Sequence, residues 1–570
     1  MPGNPLNNSH IMQRIQESRL CLGRPQSLVQ ATLRLRLSCT FWVGPAFGAC
    51  REENGDLIKG SHQNPLTQLQ VLPYIVAIGC LYLDAFIFPH TPIYQGDTAP
   101  IYLLESTKML QGQVIYRDFF QFTLPGTQVF YLLLFKLFGV RAWIPSATWV
   151  LLGIGLAWTC VAISKQLLSG ASVYLPSLLF LGLGYATERD PTHHWFSTLA
   201  CMAAITILMP RRTPARLVAA GALCALATLF TQSRGIVAIA GFAIFLLWEC
   251  RAKRQGWGWL FKAGMYLLTP FLATTVPVLA YLAWKVGPGL FFNSTAVFLM
   301  KYWSKWFWGT IYVYGADLPD VPLWLEAPAL LVWLFLHLLL PSVYVLFFVQ
   351  HRRRARTHRE EPWDRAMLIA IMGFFLFLGI AFSPIWLRLI SVVPPAMILF
   401  VWLIQSQAKQ PRALMRLAWA CGLLALASQT IIVQTGWKGY LNSPTGRAAL
   451  LDPARYAKYR WILEHTHPGD FYFQADDCDE YFLLGLRNPA EVSFVTESSY
   501  TRPDQVQNAV EMLENHRVQF VMWSAWLDVP SSPGADGKAL SPLRACLRAH
   551  YHPGREFMDD QNEEVWERNR

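Results

Sequence analysis

The stretch from Tyr94 to Phe120, YQGDTAPIYLLESTKMLQGQVIYRDFF, carries Asp97, Glu105, Lys108, Arg117 and Asp118 among three tyrosines. It follows an apolar run over residues 70–89, in a chain that is 53% hydrophobic, 14% aromatic and only 15% charged. Soluble globular chains carry about 25% charged residues. So much charge beside an apolar run of that length needs a reason, and the rest of the sequence supplies one.

Working outward, apolar runs recur at 146–164, 171–187, 195–210, 215–231, 233–249, 263–285, 323–349, 366–383, 388–405 and 413–434. Runs of about 18 to 25 residues can cross a hydrocarbon core of about 30 Å as helices. LVWLFLHLLLPSVYVLFFV at 331–349 lacks the alternation of barrel strands. The fold class is therefore an α-helical polytopic membrane protein of about 11 to 13 transmembrane helices. A shorter apolar stretch, 124–140, opens with Pro125-Gly126 and reads as a juxtamembrane or re-entrant helix.

The net charge of +11 is an orientation signal here, not a nucleic-acid footprint, because the bases sit in short loops. RRTPAR at 211–216, RAKRQ at 251–255, HRRRARTHR at 351–359 and AKQPRALMR at 408–416 are expected to be cytoplasmic, together with a basic extension over 1–68. A non-crossing 124–140 puts all five on one side, and a non-crossing 171–187 would do the same. The outer loops are then 90–145, 186–196 and 286–322, with the membrane domain spanning 69–435 of an inner-membrane protein. Residues 436–570 read as a small extracytoplasmic α/β domain. GDFYFQ, VSFV and QFVMWS read as strands, and EYFLLGL and RPDQVQNAVEMLENHRV as helices. No glycine-rich phosphate loop accompanies them. Most of the 11 cysteines lie singly in apolar runs, while Cys478 and Cys546 can pair if this region is extracytoplasmic.

Four groups of residues can carry chemistry. Asp97, at a Gly turn on the outer side, either caps the helix starting near Pro100 or serves as a general base for an acceptor. The helix over 101–110 shows one apolar face, with Glu105 and Lys108 elsewhere, and suits the membrane surface. Tyr116, Arg117 and Asp118 follow, with Arg117 able to grip a phosphate or simply pair with Asp118. In the second outer loop, Glu188 and Asp190 stand beside His193 and His194. The two histidines are not spaced as a helical metal pair, and either acid stands behind a base or holds a divalent cation. Lys301 and Lys305, one helical turn apart among tryptophans, form either an interfacial belt or a phosphate-holding surface. Arg234 and Arg388 end apolar runs on the outer side, and Arg388 is the better phosphate candidate.

The acid after the first span, the surface helix and the run G-x-x-x-Y-R-D-F-F-x-F-x-x-P-G over 112–126 resemble the GT-C membrane glycosyltransferases. The likeness is to bacterial relatives of the protein O-mannosyltransferases and of the lipid A aminoarabinose transferase, and covers residues 70–250 in pattern. It implies transfer of a sugar, with inversion, from a polyprenyl phosphate to an acceptor outside the membrane: a protein, a lipid or a glycan. It implies further that Asp97 activates the acceptor, that Asp190 or Glu188 is the second-loop acid, and that Arg117 lies near the donor phosphate. The lysine that lipid A-directed members often place just before the proline is replaced here by Thr123-Leu124, leaving Lys301, Lys305 or Arg388 to supply the cation. Two other classes fit the composition. A flippase of lipid-linked sugars would bury charge at the midplane, and an envelope assembly scaffold would tolerate loss of Asp97.

Overall fold

The computed structural model describes residues 72–94, 99–303, 323–354, 362–381, 385–407, 410–498, 500–528, 538–557 and 562–570. Asp97 and Lys305 lie outside these residues, as does the N-terminal extension. The membrane part comprises α1 (Leu72–Ala85), the short paired strands β1 (Phe86–Ile87) and β2 (Thr91–Pro92), α2 (Ala99–Leu110), α3 (Gly126–Phe138), α4 (Trp143–Ser164), α5 (Leu175–Leu183), α6 (His193–Leu208) and α7 (Pro214–Phe230). It continues through α8 (Gln232–Ala252), α9 (Trp257–Val286), α10 (Leu323–Arg354), α11 (Trp363–Leu378), α12 (Trp386–Gln407) and α13 (Pro411–Thr435).

Among the described residues, six helices are long and apolar enough to cross a membrane: α4, α8, α9, the 334–354 part of α10, α12 and α13. On α9, Phe261, Leu272, Val276 and Trp284 are exposed, an apolar face that water would penalise and lipid would cover. Pro270 and Pro277 sit inside α9, and Pro394 and Pro395 inside α12. The chain is a multi-pass membrane protein. The 13 residues of α3 reach about 20 Å, short of the core thickness. The run 171–187 is not one continuous helix. It is split into a 3₁₀ turn at Gly170–Val173, the nine-residue α5 and a second turn at Tyr185–Thr187.

Beyond α13, a hairpin pairs β3 (Gly439–Ser443) with β4 (Gly446–Leu450), Tyr440 opposite Ala449. α14 (Pro453–His465) is capped by the Asp452 carboxylate, which accepts the Ala454 amide at 2.9 Å. A four-stranded sheet then runs in the order β5 (Phe473–Gln474), β6 (Phe520–Ser524), β8 (Glu563–Arg568), β7 (Tyr551–Phe557). β5 and β6 are parallel, the other pairs antiparallel. α15 (Asp479–Leu484), α16 (Pro503–Asn515) and α17 (Ser541–His550) complete it. α16 buries Val506, Ala509 and Leu513 along one stripe.

Two expectations for this region are corrected. VSFV at 492–495 is not a strand: the Asn488 side-chain amide donates to the Val492 carbonyl at 2.9 Å and folds the chain over itself. Cys478 and Cys546 are both free thiols, buried in different hydrophobic clusters. These C-terminal residues also share a core with α2 and α3. Tyr102, Leu103, Tyr131 and Phe135 of α2 and α3 pack in one cluster with Tyr459, Tyr472, Tyr481 and Phe482.

Within the helix bundle, α7 and α9 meet at Gly221, where an added Cβ would lie 2.0 Å from the Leu267 carbonyl oxygen. Gly221→Ala is expected to cost about 1–3 kcal/mol by forcing these helices apart. Gly264→Ala, whose added methyl would meet nothing within 4 Å, is the control. Thermal unfolding in detergent should show a lower midpoint for the first only, and equal midpoints would refute the close contact.

Candidate active site

Two hydrogen bonds tie Tyr94 to the C-terminal residues. The Tyr94 amide donates to the Ala449 carbonyl at 2.9 Å, and the Tyr94 hydroxyl to the Asp479 carbonyl at 2.6 Å. Five residues later the Ala99 amide, at the start of α2, donates to Asp190 Oδ1 at 2.8 Å. Asp190 is buried and, from the loop that precedes α6, caps the start of α2. That loop is held in turn: Trp149 Nε1 donates to the Glu188 carbonyl at 2.8 Å, and the Tyr131 hydroxyl to the Pro191 carbonyl at 3.0 Å.

His193 and His194 open α6 directly after it. The Tyr102 hydroxyl lies 2.5 Å from His193 Nδ1. Burial holds this phenol well above its usual range, so it keeps its proton, and the histidine tautomer sets which of the two donates. Arg234, near the start of α8, is buried and held by three polar partners. It donates to the His194 carbonyl at 3.0 Å, to Thr198 Oγ1 at 2.5 Å and to Ser391 Oγ at 2.9 Å. Those bonds aim one guanidinium at the junction of α6, α8 and α12.

Around this junction lie two adjoining chambers. The first, about 570 Å³, is lined by Thr123, His193, His194, Arg234, Arg388 and apolar side chains of α8 and α11. The second, about 290 Å³, faces α2 and the C-terminal segment 492–500. Phe122, His193, His194 and Arg388 belong to both, so they form the shared wall. Thr123 Oγ1 is buried without a hydrogen-bond partner among the described residues, on the wall of the larger chamber. Both volumes suit small-molecule ligands of moderate size.

Glu105 lines the second chamber from α2 and is almost wholly buried. Gln121 Nε2 donates to both its oxygens at 2.9 Å, Gln128 Nε2 to Oε2 at 2.7 Å, and Ser493 Oγ to Oε1 at 3.4 Å. Burial nevertheless raises its carboxyl to about 7, these donors offsetting only part of the desolvation. Lys108, one turn on, is lowered by burial to about 8 and donates to the Ala490 carbonyl at 2.8 Å.

Of the residues singled out in sequence, the structure brings Glu105, His193, His194 and Arg388 to the chambers, while Asp190 lines neither and holds the start of α2. Arg117 turns away. Its guanidinium pairs with Asp118 at 2.7 Å on the surface, and Asp118 also accepts the Val114 amide at 2.7 Å to close a turn. Tyr116, at the left-handed φ of 69°, donates its hydroxyl to the Thr123 carbonyl at 2.6 Å and lines neither chamber. The Glu188 side chain and Lys301 are likewise outside both linings, with Lys301 exposed over the Tyr302 ring. Among the described residues no three His, Cys, Asp or Glu side chains group as a metal site. Sequence reading missed the contribution of Ser493, Phe494 and Tyr500, for which no local pattern gives a signal.

No protein-family model and no curated protein matches the sequence. Among solved structures, ArnT from Cupriavidus metallidurans bound to undecaprenyl phosphate matches with a TM-score of 0.55 at 13% identity. The match covers 88% of this chain and 98% of that one. The apo state of the same enzyme gives 0.54 with the same identity and coverage. The chain shares the fold of that enzyme. The Archaeoglobus fulgidus oligosaccharyltransferase, in a complex with Zn and sulfate, matches at 0.47 and 11% identity, over 87% of this chain and 73% of that one.

The Glu105 carboxyl sets a pH signature on stability. Its folded value of about 7 exceeds the ordinary 4.5, so between these values the folded protein keeps a proton that the unfolded chain releases. Stability therefore falls as pH rises from about 4.5 to 7, and the loss is complete above that. Glu105→Gln cannot titrate. The expected outcome is a flatter dependence of unfolding midpoint on pH over that interval than in wild type, whatever the absolute cost of the substitution. Parallel curves would exclude a shifted Glu105.

Proposed function

We propose that this protein is a membrane glycosyltransferase that moves a sugar, with inversion, from a polyprenyl-phosphate donor to an acceptor on the outer face of the membrane. The observation that carries the reading is a chamber with an apolar wall from membrane helices and a cationic end built from Arg234 and Arg388. That combination fits a lipid-linked phosphate, with an isoprenoid along the helices and oxygens on the guanidiniums. ArnT, whose fold the chain shares, has been crystallised bound to undecaprenyl phosphate.

In this reaction the acceptor oxygen attacks the anomeric carbon as the bond from that carbon to the phosphate oxygen breaks. Negative charge grows on the departing polyprenyl phosphate, and Arg388 and Arg234 stabilise it there, aided by the Thr123 hydroxyl. Arg234 needs no reorganisation for this, since Thr198 and Ser391 already hold it. The acceptor proton goes to a carboxylate on the opposite side, and Asp97 is our assignment for that base. Asp190 then acts as a positioning residue: by capping α2 it fixes the helix that begins two residues after Asp97. Glu105, His193 and His194 line the path between donor and acceptor. Arg117, Asp118, Tyr116 and Lys301 take no part in this scheme. Residues 436–570 form the extracytoplasmic side of the protein, and the basic loops its cytoplasmic side.

The test is sugar release from a panel of radiolabelled polyprenyl-phosphate sugars by purified protein in lipid, with acceptor extract present. Wild type is expected to release one sugar, Asp97→Asn to be slower by about 10²- to 10⁴-fold, and Arg388→Ala by about 10²- to 10³-fold. Asp190→Asn keeps an oxygen for the Ala99 amide and should retain far more activity than Asp190→Ala. Equal inactivity of both Asp190 variants would make it a direct participant. No release from any donor by wild type would sink the transferase reading.

A further inference from the structure

The second chamber lies beyond the shared wall, away from the apolar side chains of α8 and α11 that line the first. Its outer side is built by a segment some 390 residues away in sequence, held by three contacts. The Phe120 amide donates to the Glu491 carbonyl at 2.8 Å, Lys108 Nζ to the Ala490 carbonyl at 2.8 Å, and Ser493 Oγ to Glu105 at 3.4 Å across a separation of 388 residues. The latched segment presents two half-buried rings. Phe494 and Tyr500 lie parallel, 5.3 Å apart with 8° between their planes, and Phe122 meets Tyr500 edge-on at 6.2 Å. Ser493 and Thr496 lie beside them, and Glu105 is the one carboxylate among the described lining residues.

A pyranose matches such a wall. One face of the ring is a set of C–H bonds that stacks on an aromatic surface, while its rim of hydroxyls needs the hydrogen-bonding partners that serine, threonine and a carboxyl provide. We infer that the second chamber takes the acceptor, and that the acceptor presents a pyranose ring to Phe494 and Tyr500. This rests on the transferase reading. With the donor phosphate on Arg234 and Arg388, the sugar to be transferred falls at the shared wall, and the next ring along is the acceptor's. A free glycan and the sugar headgroup of a lipid share this chemistry. An extended peptide would leave its amides facing aromatic carbon.

Saturation-transfer NMR on the full chain in lipid nanodiscs tests this, with methyl gluco-, manno- and galactopyranosides as probes. Ring-proton contact is expected for at least one of them. It should persist when undecaprenyl phosphate is added and when a sugar-bearing undecaprenyl phosphate is added. Phe494→Leu and Tyr500→Leu keep apolar volume but lose the aromatic face, and each should weaken binding by about tenfold. Tyr500→Phe should bind as wild type does. Contact with no pyranoside, or undiminished contact in both leucine variants, overturns the inference. Displacement by the sugar-bearing donor alone reassigns the rings to the transferred sugar, and displacement by a serine-containing peptide makes the acceptor a peptide; either overturns it too. If undecaprenyl phosphate itself fails to bind wild type while pyranoside contact stands, the transferase reading fails and what remains is a sugar-binding chamber.

Discussion

Asp190 accepting the Ala99 amide is the contact on which the site depends. A helix beginning at the bilayer edge exposes amides that water or a side chain must satisfy, and its positive end attracts a carboxylate. Here the carboxylate comes from another loop, 91 residues on. The bond therefore does two things: it completes α2, and it ties that helix to the loop that precedes α6. On the other side, Tyr94 is bonded to β4 and to the start of α15. Tyr94 and Ala99 are thus held at two fixed points, Ala99 by Asp190 of the helix bundle and Tyr94 by β4 and α15 of the C-terminal residues.

The C-terminal residues serve the same geometry. Tyr459 donates to Asp479 Oδ2 at 2.5 Å and Gln474 Nε2 to Oδ1 at 2.7 Å, so the residue that receives Tyr94 is itself held by α14 and β5. Lys458 lies buried between Glu480, at 3.4 Å, and Glu563. A lysine removed from water in this way is tolerated only with such partners, and removing one would leave a buried charge uncompensated. The C-terminal residues are consequently a scaffold, and a non-strand segment of them, with Val492, Ser493, Phe494, Thr496 and Tyr500, becomes a wall of the second chamber.

Much of this was legible in the sequence. Apolar runs located the helices, because lipid and core both demand contiguous hydrophobic residues, and Pro125-Gly126 marked the start of the short α3. Arg388 stood out at the end of an apolar run, and it lies in the first turn of α12, in the wall that the two chambers share. Arg117 misled because an arginine beside an acid reads equally as a phosphate grip or a local pair, and only the turn closed by Asp118 decides between them. The β7–β8 hairpin was hidden for a different reason. YHPGREF contains Pro553 and Gly554, which read as a turn, yet β7 is an edge strand, where a missing amide is tolerated. The role of residues 490–500 depends on partners nearly 390 positions away, and no local pattern encodes them.

Glu105 raises the sharpest physical question of the site. A glutamine there would be cheaper to bury, since a carboxyl at about 7 is half ionised at neutral pH at the expense of desolvation. Gln121 and Gln128 aim their amide nitrogens at it, an arrangement that favours an acceptor with two oxygens and would leave a glutamine facing like groups. The surroundings are therefore shaped for a carboxyl group that can hold or release a proton. With Lys108 nearby, itself lowered to about 8 by burial, the second chamber can change its charge by one unit near neutral pH without any backbone movement. A hydroxylated ligand meets in Glu105 either a donor or an acceptor, and which of the two it meets is set by the proton.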